Sequence, residues 1–417
     1  MSRTAGLLLA AFLLAGCAVK IIPPGTEGEQ ALQPIEQRLA QVRHLQFLAP
    51  VPISQVSPAQ VRALLAGEID RELPPERLEA ERQLYLGLGL IRPNDDLRQS
   101  LLDLYSNEVA AFYDPVKKTM TVVSPIHQPT LALVGISASG RERLADVVFS
   151  HELVHALEDQ HFQLDRFEYH PGDNEDYLLA VHAVSEGSAT FAGILYLLGP
   201  AGERDSATVA RIAERLESSK LNLGSGRYPE VLTAPMAFSY QAGLRFVYRV
   251  WQTQGFAGID KLYSDPELST ELILHPEKYL ARTDRPATLE LPPLAELLPG
   301  YRLLDQNTLG EFGTALILKA RLGQAEAETA AAGWAGDTYA LYRNPAGDLA
   351  LLWYSAWDSE AEAKEFKQTL EKWASRRNAP SEFQTTALYL ADRRVLWLAG
   401  MKNVDPEALA RRLNLLN

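Results

Sequence analysis

Hydrophobic spacing along the middle of the chain predicts three long helices. From Arg141 to about Gln160, apolar residues recur at helical spacing with neither Gly nor Pro inside. A polar connector containing Pro171-Gly172-Asp173-Asn174 precedes a second helical pattern from about Glu175 to Leu198. Tyr240 to about Gln254 is a third such stretch. We therefore expect the first two helices to be antiparallel neighbours.

Two β-rich runs precede the first of these helices. Residues 109–113 and 119–123 flank the turn signal Asp114-Pro-Val-Lys-Lys118, which predicts a hairpin. The second strand, Thr119 to Val123, is a candidate edge for binding an extended peptide by strand addition, or else a buried structural strand. The region from 40 to 107 is expected to be mostly helical.

Prolines between Arg285 and Pro299 mark the best candidate domain boundary. The pattern beyond them predicts a helix at about Asn307–Ala332, short strands on either side of Asn344–Gly347, a helix at Ser359–Ser375, two strands meeting near Asp392-Arg393, and a last helix after Asp405-Pro406. Residues 300–417 are thus predicted to form a small α+β accessory domain.

Composition changes this picture only by exclusion. Hydrophobic residues make up 47% and charged residues 22% of the 417 residues, as in ordinary folded proteins, and the length favours two domains. Lys plus Arg number 40 against 53 Asp plus Glu, which gives a net charge of −13. Because no basic cluster interrupts this acidic excess, nucleic acid is not expected as a partner.

The N-terminus has the pattern of an export signal. The apolar run from Ala5 to Ala15 is too short to span a bilayer but suits a signal-peptide core. It ends in Leu14-Ala-Gly-Cys17, which resembles the bacterial lipobox, and Cys17 is the only cysteine. The resemblance implies that 1–17 is a lipoprotein signal ending at a lipidated Cys17, with 18–39 as a tether. A plain secretory signal with an incidental cysteine is the alternative.

The strongest chemical motif lies in the first predicted helix. His151-Glu-Leu-Val-His155 is a His-Glu-x-x-His pattern, whose two imidazoles project from one helical face and can bind one ion. Glu152 can then reach a water in the open coordination position, whose pKa zinc lowers towards neutrality. The pattern predicts Zn²⁺-assisted hydrolysis with Glu152 as the general base. Histidines at an accidental spacing are the alternative.

A catalytic zinc needs a third protein ligand, and Glu186 is the leading candidate. It lies mid-helix among small and apolar residues, where a buried charge needs a partner. A solvent-facing glutamate remains the alternative. His182, one helical turn earlier, is a weaker ligand candidate, and His161 faces elsewhere and is expected to be structural.

These residues resemble the gluzincin metalloproteases, which combine His-Glu-x-x-His with a glutamate from a second helix. More specifically, a family of uncharacterised bacterial proteins of this type is similar over most of the mature chain, in His151–Phe162, Glu186–Thr190, Ala111–Pro115, Ser269–Tyr279, Gly333–Tyr339 and Trp357–Ser359. The resemblance implies His151, His155 and Glu186 as ligands and Glu152 as the base. The chain departs from the gluzincin pattern at Thr190. Many gluzincins have an acidic residue at this place, which supports a ligand histidine.

A donor for the oxyanion is also expected. Tyr240, His275 and Tyr279 lie downstream, and no spacing rule selects among them, although Tyr240 and His275 are the leading candidates.

The sequence thus predicts an α+β protein with a zincin-like domain over 40–295, mostly helical with a small sheet, followed by the accessory domain. The expected activity is that of a zinc metalloendopeptidase acting on protein or peptide, lipid-anchored in the bacterial cell envelope at the outer membrane or on the periplasmic face of the inner membrane. The alternatives are a catalytically idle assembly or binding lipoprotein on the same scaffold, and a zinc hydrolase of a non-peptide substrate.

Overall fold

A computed structural model describes residues 15–16, 26–123, 127–128, 141–167, 174–202, 205–218, 226–378 and 382–416. The expected lipidation site Cys17 and most of the expected signal segment lie outside these residues. The fold is α+β and mainly helical. Its first part, up to the proline-rich stretch, contains the helices and strands α1 (Thr26–Arg43), α2 (Pro58–Glu72), α3 (Pro75–Leu88), α4 (Leu97–Glu108), α5 (Arg141–Phe162), α6 (Glu175–Gly202), α7 (Ser206–Ser218), α8 (Glu230–Gln254), α9 (Phe256–Leu262), α10 (Thr270–Leu274), α11 (Pro276–Ala281), β1 (Ala15–Gly16), β2 (Ile53–Val56), β3 (Ala111–Asp114), β4 (Thr119–Val123) and β5 (His127–Gln128).

Helices α5, α6 and α8 form the centre of the main core. The helices predicted at 141 and 175 are confirmed, but α8 begins at Glu230, ten residues before the predicted start. Gly187 and Gly243 bring α6 and α8 together, because a Cβ on Gly243 would lie 2.0 Å from the Ala183 carbonyl oxygen. Close packing of two backbones is therefore the reason for glycine beside the candidate ligand Glu186.

The predicted hairpin is confirmed as β3 and β4, which pair antiparallel, and of the two alternatives for its second strand the buried structural strand is the one observed. Strand β4 lies in the middle of a three-stranded sheet, since β2 pairs with its other side in parallel. Because both sides of β4 are hydrogen-bonded, it cannot accept an added strand. The edges of this sheet are β2 and β3.

The predicted tether is shorter than expected. Residues 26–39 belong to α1, whose Leu32 and Leu39 are fully buried against the main core. Helix α1 packs on both α5 and α6. The apolar face of α1 explains why part of the predicted tether is helical, because burying this face stabilises the helix. The many polar residues of the segment made the helical pattern hard to recognise in the sequence.

The last part of the chain forms a five-stranded antiparallel sheet in the order β6-β7-β8-β10-β9. Its elements are β6 (Arg302–Asn307), α12 (Gly310–Lys319), α13 (Gln324–Ala331), β7 (Trp334–Arg343), β8 (Leu349–Trp357), α14 (Glu360–Ser375), β9 (Thr385–Ala391), β10 (Arg394–Ala399) and α15 (Pro406–Arg412). Strand β6 was not predicted, and the single helix expected over 307–332 is two helices that break at 320–323. Five buried tryptophans fill the core between the sheet and α14: Trp334, Trp353, Trp357, Trp373 and Trp397.

Helix α3 connects the two parts of the fold. Its Ala80, Leu84 and Leu88 belong to the tryptophan-rich core. The Phe383 N–H donates to the Gly87 carbonyl at 2.7 Å, and a Cβ on Gly87 would clash with the Phe383 ring. The C-terminal sheet is therefore completed by a helix from the N-terminal part of the chain.

Among the described helices, Glu175–Pro200 of α6 is long and apolar enough to cross a membrane. Most of its apolar window, 78%, is buried inside the protein, as in the core helix of a folded domain.

Candidate metal centre

Two helices bring three potential ligands to one point. Helix α5 supplies His151 and His155, one turn apart, and α6 supplies Glu186. The two Nε2 atoms lie 3.0 Å apart. Glu186 Oε2 lies 3.1 Å from His151 Nε2, and Glu186 Oε1 lies 3.6 Å from His155 Nε2. All three side chains are buried, so the structure contains a His/Glu group that could hold a metal ion.

The spacing of these atoms fits a small tetrahedral cation. A tetrahedral ion with bonds of about 2.1 Å separates its donor atoms by about 3.4 Å. The two Nε2 atoms lie 3.0 Å apart, and Glu186 places one oxygen 3.1 Å from His151 Nε2 and the other 3.6 Å from His155 Nε2, distances close to that value. Two imidazole nitrogens and one carboxylate oxygen are also a donor set that zinc prefers in catalytic sites. The residues present therefore fit zinc.

Burial and mutual contact shift the pKa values of these groups in opposite directions. Burial disfavours the Glu186 carboxylate, but the neighbouring histidines outweigh it and lower the pKa of Glu186 to about 2. Burial alone would lower the pKa of His155, yet the charge of Glu186 raises it to about 9. Burial lowers the pKa of His151 to about 4. Glu186 is thus held as an anion, the form that binds a cation.

Glu152, the predicted base, is fully buried beside this group. Its Oε2 accepts a hydrogen bond from the Tyr113 N–H of β3 at 2.8 Å. Its Oε1 is also buried but has no hydrogen-bond partner in the described part of the chain. Burial raises the pKa of Glu152 to about 8. One carboxylate oxygen is therefore fixed by the sheet while the other stays available for chemistry.

Tyr240 of α8 is the other predicted catalytic residue beside the ligands. Its ring centroid lies 6.1 Å from that of His151, and its hydroxyl hydrogen-bonds to Glu186. Burial, with the nearby Glu186 charge, raises the pKa of Tyr240, so the phenol keeps its proton. Burial lowers the pKa of His182, and the nearby charge of Glu186 partly opposes this shift. His182 is nevertheless outside the group of three converging ligands. The structure thus places a protonated hydroxyl next to the candidate ligands.

The other predicted residues lie elsewhere. His275 Nε2 is 2.9 Å from Glu311 Oε1 and its Nδ1 is 3.5 Å from Glu277 Oε1, so both ring nitrogens face carboxylates other than Glu186 and the predicted oxyanion role finds no support. Tyr279 hydrogen-bonds to Asp265 at 3.3 Å and packs on Phe246. The His161 Nε2 lies 2.8 Å from the Gln46 carbonyl oxygen, which agrees with a structural role.

Support for a ligand histidine comes from a residue that the sequence did not single out. The Ser185 Oγ lies 3.1 Å from His155 Nδ1. Thr190, which stands where many gluzincins have a supporting acidic residue, has a buried hydroxyl without a hydrogen-bond partner within the described ranges. Glu158 was also missed, although it lies three residues after His155, on the same face of α5, and is fully buried. Helical spacing alone was a usable signal for Glu158.

A second group of carboxylates lies near the junction with the C-terminal sheet: Glu271, Asp284 and Asp358. The Lys278 ammonium is 2.6 Å from Glu271 and 2.7 Å from each of the other two. Because this lysine already supplies the cationic partner, we interpret the group as a structural ion-pair cluster.

Comparisons with known proteins concern only the last part of the chain. A family profile described as "Domain of unknown function (DUF8575)" matches residues 300–402, which include all five strands of the C-terminal sheet. No curated protein and no solved structure matches the chain. The match does not include the candidate metal centre.

Proposed function

We propose that this chain is a zinc metalloendopeptidase with His151, His155 and Glu186 as ligands and Glu152 as the general base. The observation that carries the proposal is the convergence of three buried ligand atoms beside a buried carboxylate oxygen that has no hydrogen-bond partner among the described residues. Burying ionisable groups is costly unless they are paired with one another or with a metal. The zincin-like architecture expected from the sequence is part of this proposal.

Each residue has a distinct task. A zinc ion held here would supply the positive charge that activates a water and polarises the scissile carbonyl. The positive charge of the ion would lower the raised pKa of Glu152, so that its carboxylate, oriented by the Tyr113 N–H, can take the proton of the attacking water on Oε1 and pass it to the leaving amine. Tyr240 keeps its proton and lies beside Glu186, which supports a role as donor to the developing oxyanion.

The test measures metal and activity separately. We expect the chain from residue 18 onwards, which keeps α1, to hold one zinc and to cleave an unstructured protein. Glu186→Ala should lose the zinc, whereas Glu152→Gln should keep the zinc and lose about a hundredfold or more in cleavage rate. Glu296→Ala, whose side chain is 88% exposed, is the matched control and should behave as the wild type.

Other outcomes separate the alternatives. A wild type without zinc contradicts the metal centre, and zinc retained by Glu186→Ala contradicts the ligand assignment. A metallated protein that cleaves no peptide favours either a binding lipoprotein on this scaffold or a zinc hydrolase of a non-peptide substrate.

We also propose that the protein is exported and held in the cell envelope by lipid on Cys17. The proposal is supported by the Leu-Ala-Gly-Cys sequence at 14–17 and by Cys17 being the only cysteine. Cys17→Ser in the full chain should move the protein from the membrane to the soluble fraction. If this variant stays on the membrane, the anchor lies elsewhere.

A further inference from the structure

A chain of polar contacts begins at the ring nitrogen of His155 that faces away from the candidate metal. The Ser185 Oγ lies 3.1 Å from His155 Nδ1. Ser185 also hydrogen-bonds to the Tyr263 hydroxyl. Tyr263 in turn donates to Glu158 Oε2 at 2.5 Å. Three elements, α5, α6 and the end of α9, therefore meet in one hydrogen-bonded series.

The series ends in a buried ion pair. Glu158 Oε1 accepts from Arg43 Nε at 2.8 Å and from Ser188 Oγ at 2.5 Å. Arg43 belongs to α1 and is itself fully buried, and its Nη2 donates to Asp260 Oδ1 at 2.8 Å. Both oxygens of Glu158 are thus occupied, and its charge is balanced by the Arg43 guanidinium.

The direction of these hydrogen bonds follows from what each group can do. A carboxylate paired with a guanidinium only accepts, so the Tyr263 hydroxyl must donate to Glu158. The Tyr263 oxygen then accepts the Ser185 hydroxyl, and the Ser185 oxygen is left to accept the proton on His155 Nδ1. The proton of a neutral His155 therefore lies on Nδ1, and its Nε2 lone pair points towards His151 and Glu186.

We propose that Ser185, Tyr263 and Glu158, balanced by Arg43, are positioning residues that hold His155 in the Nδ1–H tautomer and thereby set the affinity of the metal centre. The inference rests on the proposed metal site and deepens it. Metal-binding histidines generally donate their second nitrogen to a carboxylate or another acceptor. Here two hydroxyl groups extend that link from His155 to a carboxylate on the same helix.

This arrangement also gives α1 a role in the metal centre. A buried ion pair is weak evidence for stability, because apolar residues of similar volume often serve equally well. The Arg43–Glu158 pair lies at the far end of the hydrogen-bond series from the ligand His155, which accounts for an ion pair in this core. The N-terminal helix thus helps to orient a ligand from α5.

The experiment measures the zinc dissociation constant of the chain from residue 18 onwards by competition with a chelator. Tyr263→Phe removes one hydroxyl without changing the size of the ring, and we expect it to weaken zinc binding about ten- to a hundredfold. Ser185→Ala should have a similar effect, while Ser185→Thr, which keeps a hydroxyl, should stay within a few-fold of the wild type. Tyr354→Phe, another buried tyrosine in the C-terminal sheet, is the matched control and should leave zinc binding unchanged.

Thermal unfolding followed by circular dichroism identifies any variant that fails to fold. Nitrogen-15 NMR of the zinc-loaded wild type adds a readout that a merely structural role would not move, because it assigns the tautomer of His155 directly. We expect the proton on Nδ1.

Unchanged zinc affinity in folded Tyr263→Phe, or a proton on Nε2, overturns the positioning role and leaves the metal centre intact. A wild type that binds no zinc overturns both. Failure to cleave peptides affects neither, because zinc affinity and tautomer are measured without substrate.

Discussion

Two cores of the molecule differ in the side chains that distinguish them: the core around α5 and α6, and the core of the C-terminal sheet. The first holds ionisable groups that are at most 3% exposed, namely His151, Glu152, His155, Glu158 and Glu186. The second holds five tryptophans and mainly aliphatic neighbours. Among the described residues, the buried group of converging ligand atoms, His151, His155 and Glu186, lies in the first core.

The hydrogen bonds of one buried carboxylate in each core, Asp337 and Glu152, illustrate the difference. Asp337 of the C-terminal sheet accepts hydrogen bonds from the Trp334 and Trp353 indoles and from the N–H groups of Leu309 and Gly310. Glu152 accepts one from Tyr113 and keeps an oxygen without a partner within the described ranges. The hydrogen bonds of Asp337 tie it into the fold, whereas the remaining oxygen of Glu152 lies beside the candidate ligands and is available for chemistry.

The largest expected effect tests whether the C-terminal core serves stability alone. Trp353→Ala removes a fully buried ring and one donor to Asp337, and should lower the free energy of unfolding by about 3–5 kcal/mol. Chemical denaturation measures this change. The folded fraction of this variant should still bind one zinc per chain. Loss of zinc binding by the folded variant would show that the two cores are not independent.

The next effect concerns the crossing of α6 and α8. Gly243→Ala places a methyl group against the Ala183 carbonyl and forces apart the helices that carry Glu186 and Tyr240, at a cost of about 3 kcal/mol. Zinc affinity should fall with it. The matched control is Gly67→Ala in α2, where nothing lies within 4 Å, and it should stabilise the protein by about 0.5–1 kcal/mol. Equal stability of the two variants would disprove the close crossing.

A smaller effect is expected at the junction between the two parts. Burial raises the pKa of Asp176 to about 7 and that of Glu271 to about 8. Folding therefore takes up protons on these two carboxyl groups between about pH 4 and pH 8. Their protonated forms contribute fully to the free energy of unfolding at low pH, and this contribution is lost as the pH rises through 7 to 8. We expect the free energy of unfolding to fall by roughly 2 kcal/mol from pH 6 to pH 9.

Urea denaturation at several pH values measures this slope. Glu271→Gln keeps an acceptor for Lys278 but cannot ionise, and it should flatten the profile. A wild-type slope in that variant would remove Glu271 from the explanation.

Much of the helical body was predictable because its signals are local. The motif in α5, the helix over 175–198 and the hairpin of β3 and β4 follow from spacing within a few turns or strands. The choice between an edge strand and a buried strand for β4 stayed open because it depends on β2, more than sixty residues earlier, which pairs with β4. Strand β6 was missed because the Arg302–Asn307 run alternates weakly and lies on a sheet edge. The break between α12 and α13 was missed although Gly323, the N-cap of α13, lies in it.

The sequence by itself determined that His151, Glu152 and His155 share one helix, since residues four apart project from the same face whatever the rest of the chain does. Only the tertiary structure decided that Glu186 and Tyr240 lie beside these histidines and that His275 pairs with Glu311. It also decided that Arg43, at the end of the helix α1 that replaces most of the expected tether, pairs with Glu158. Such contacts depend on how whole helices pack, and packing joins residues that are far apart in sequence.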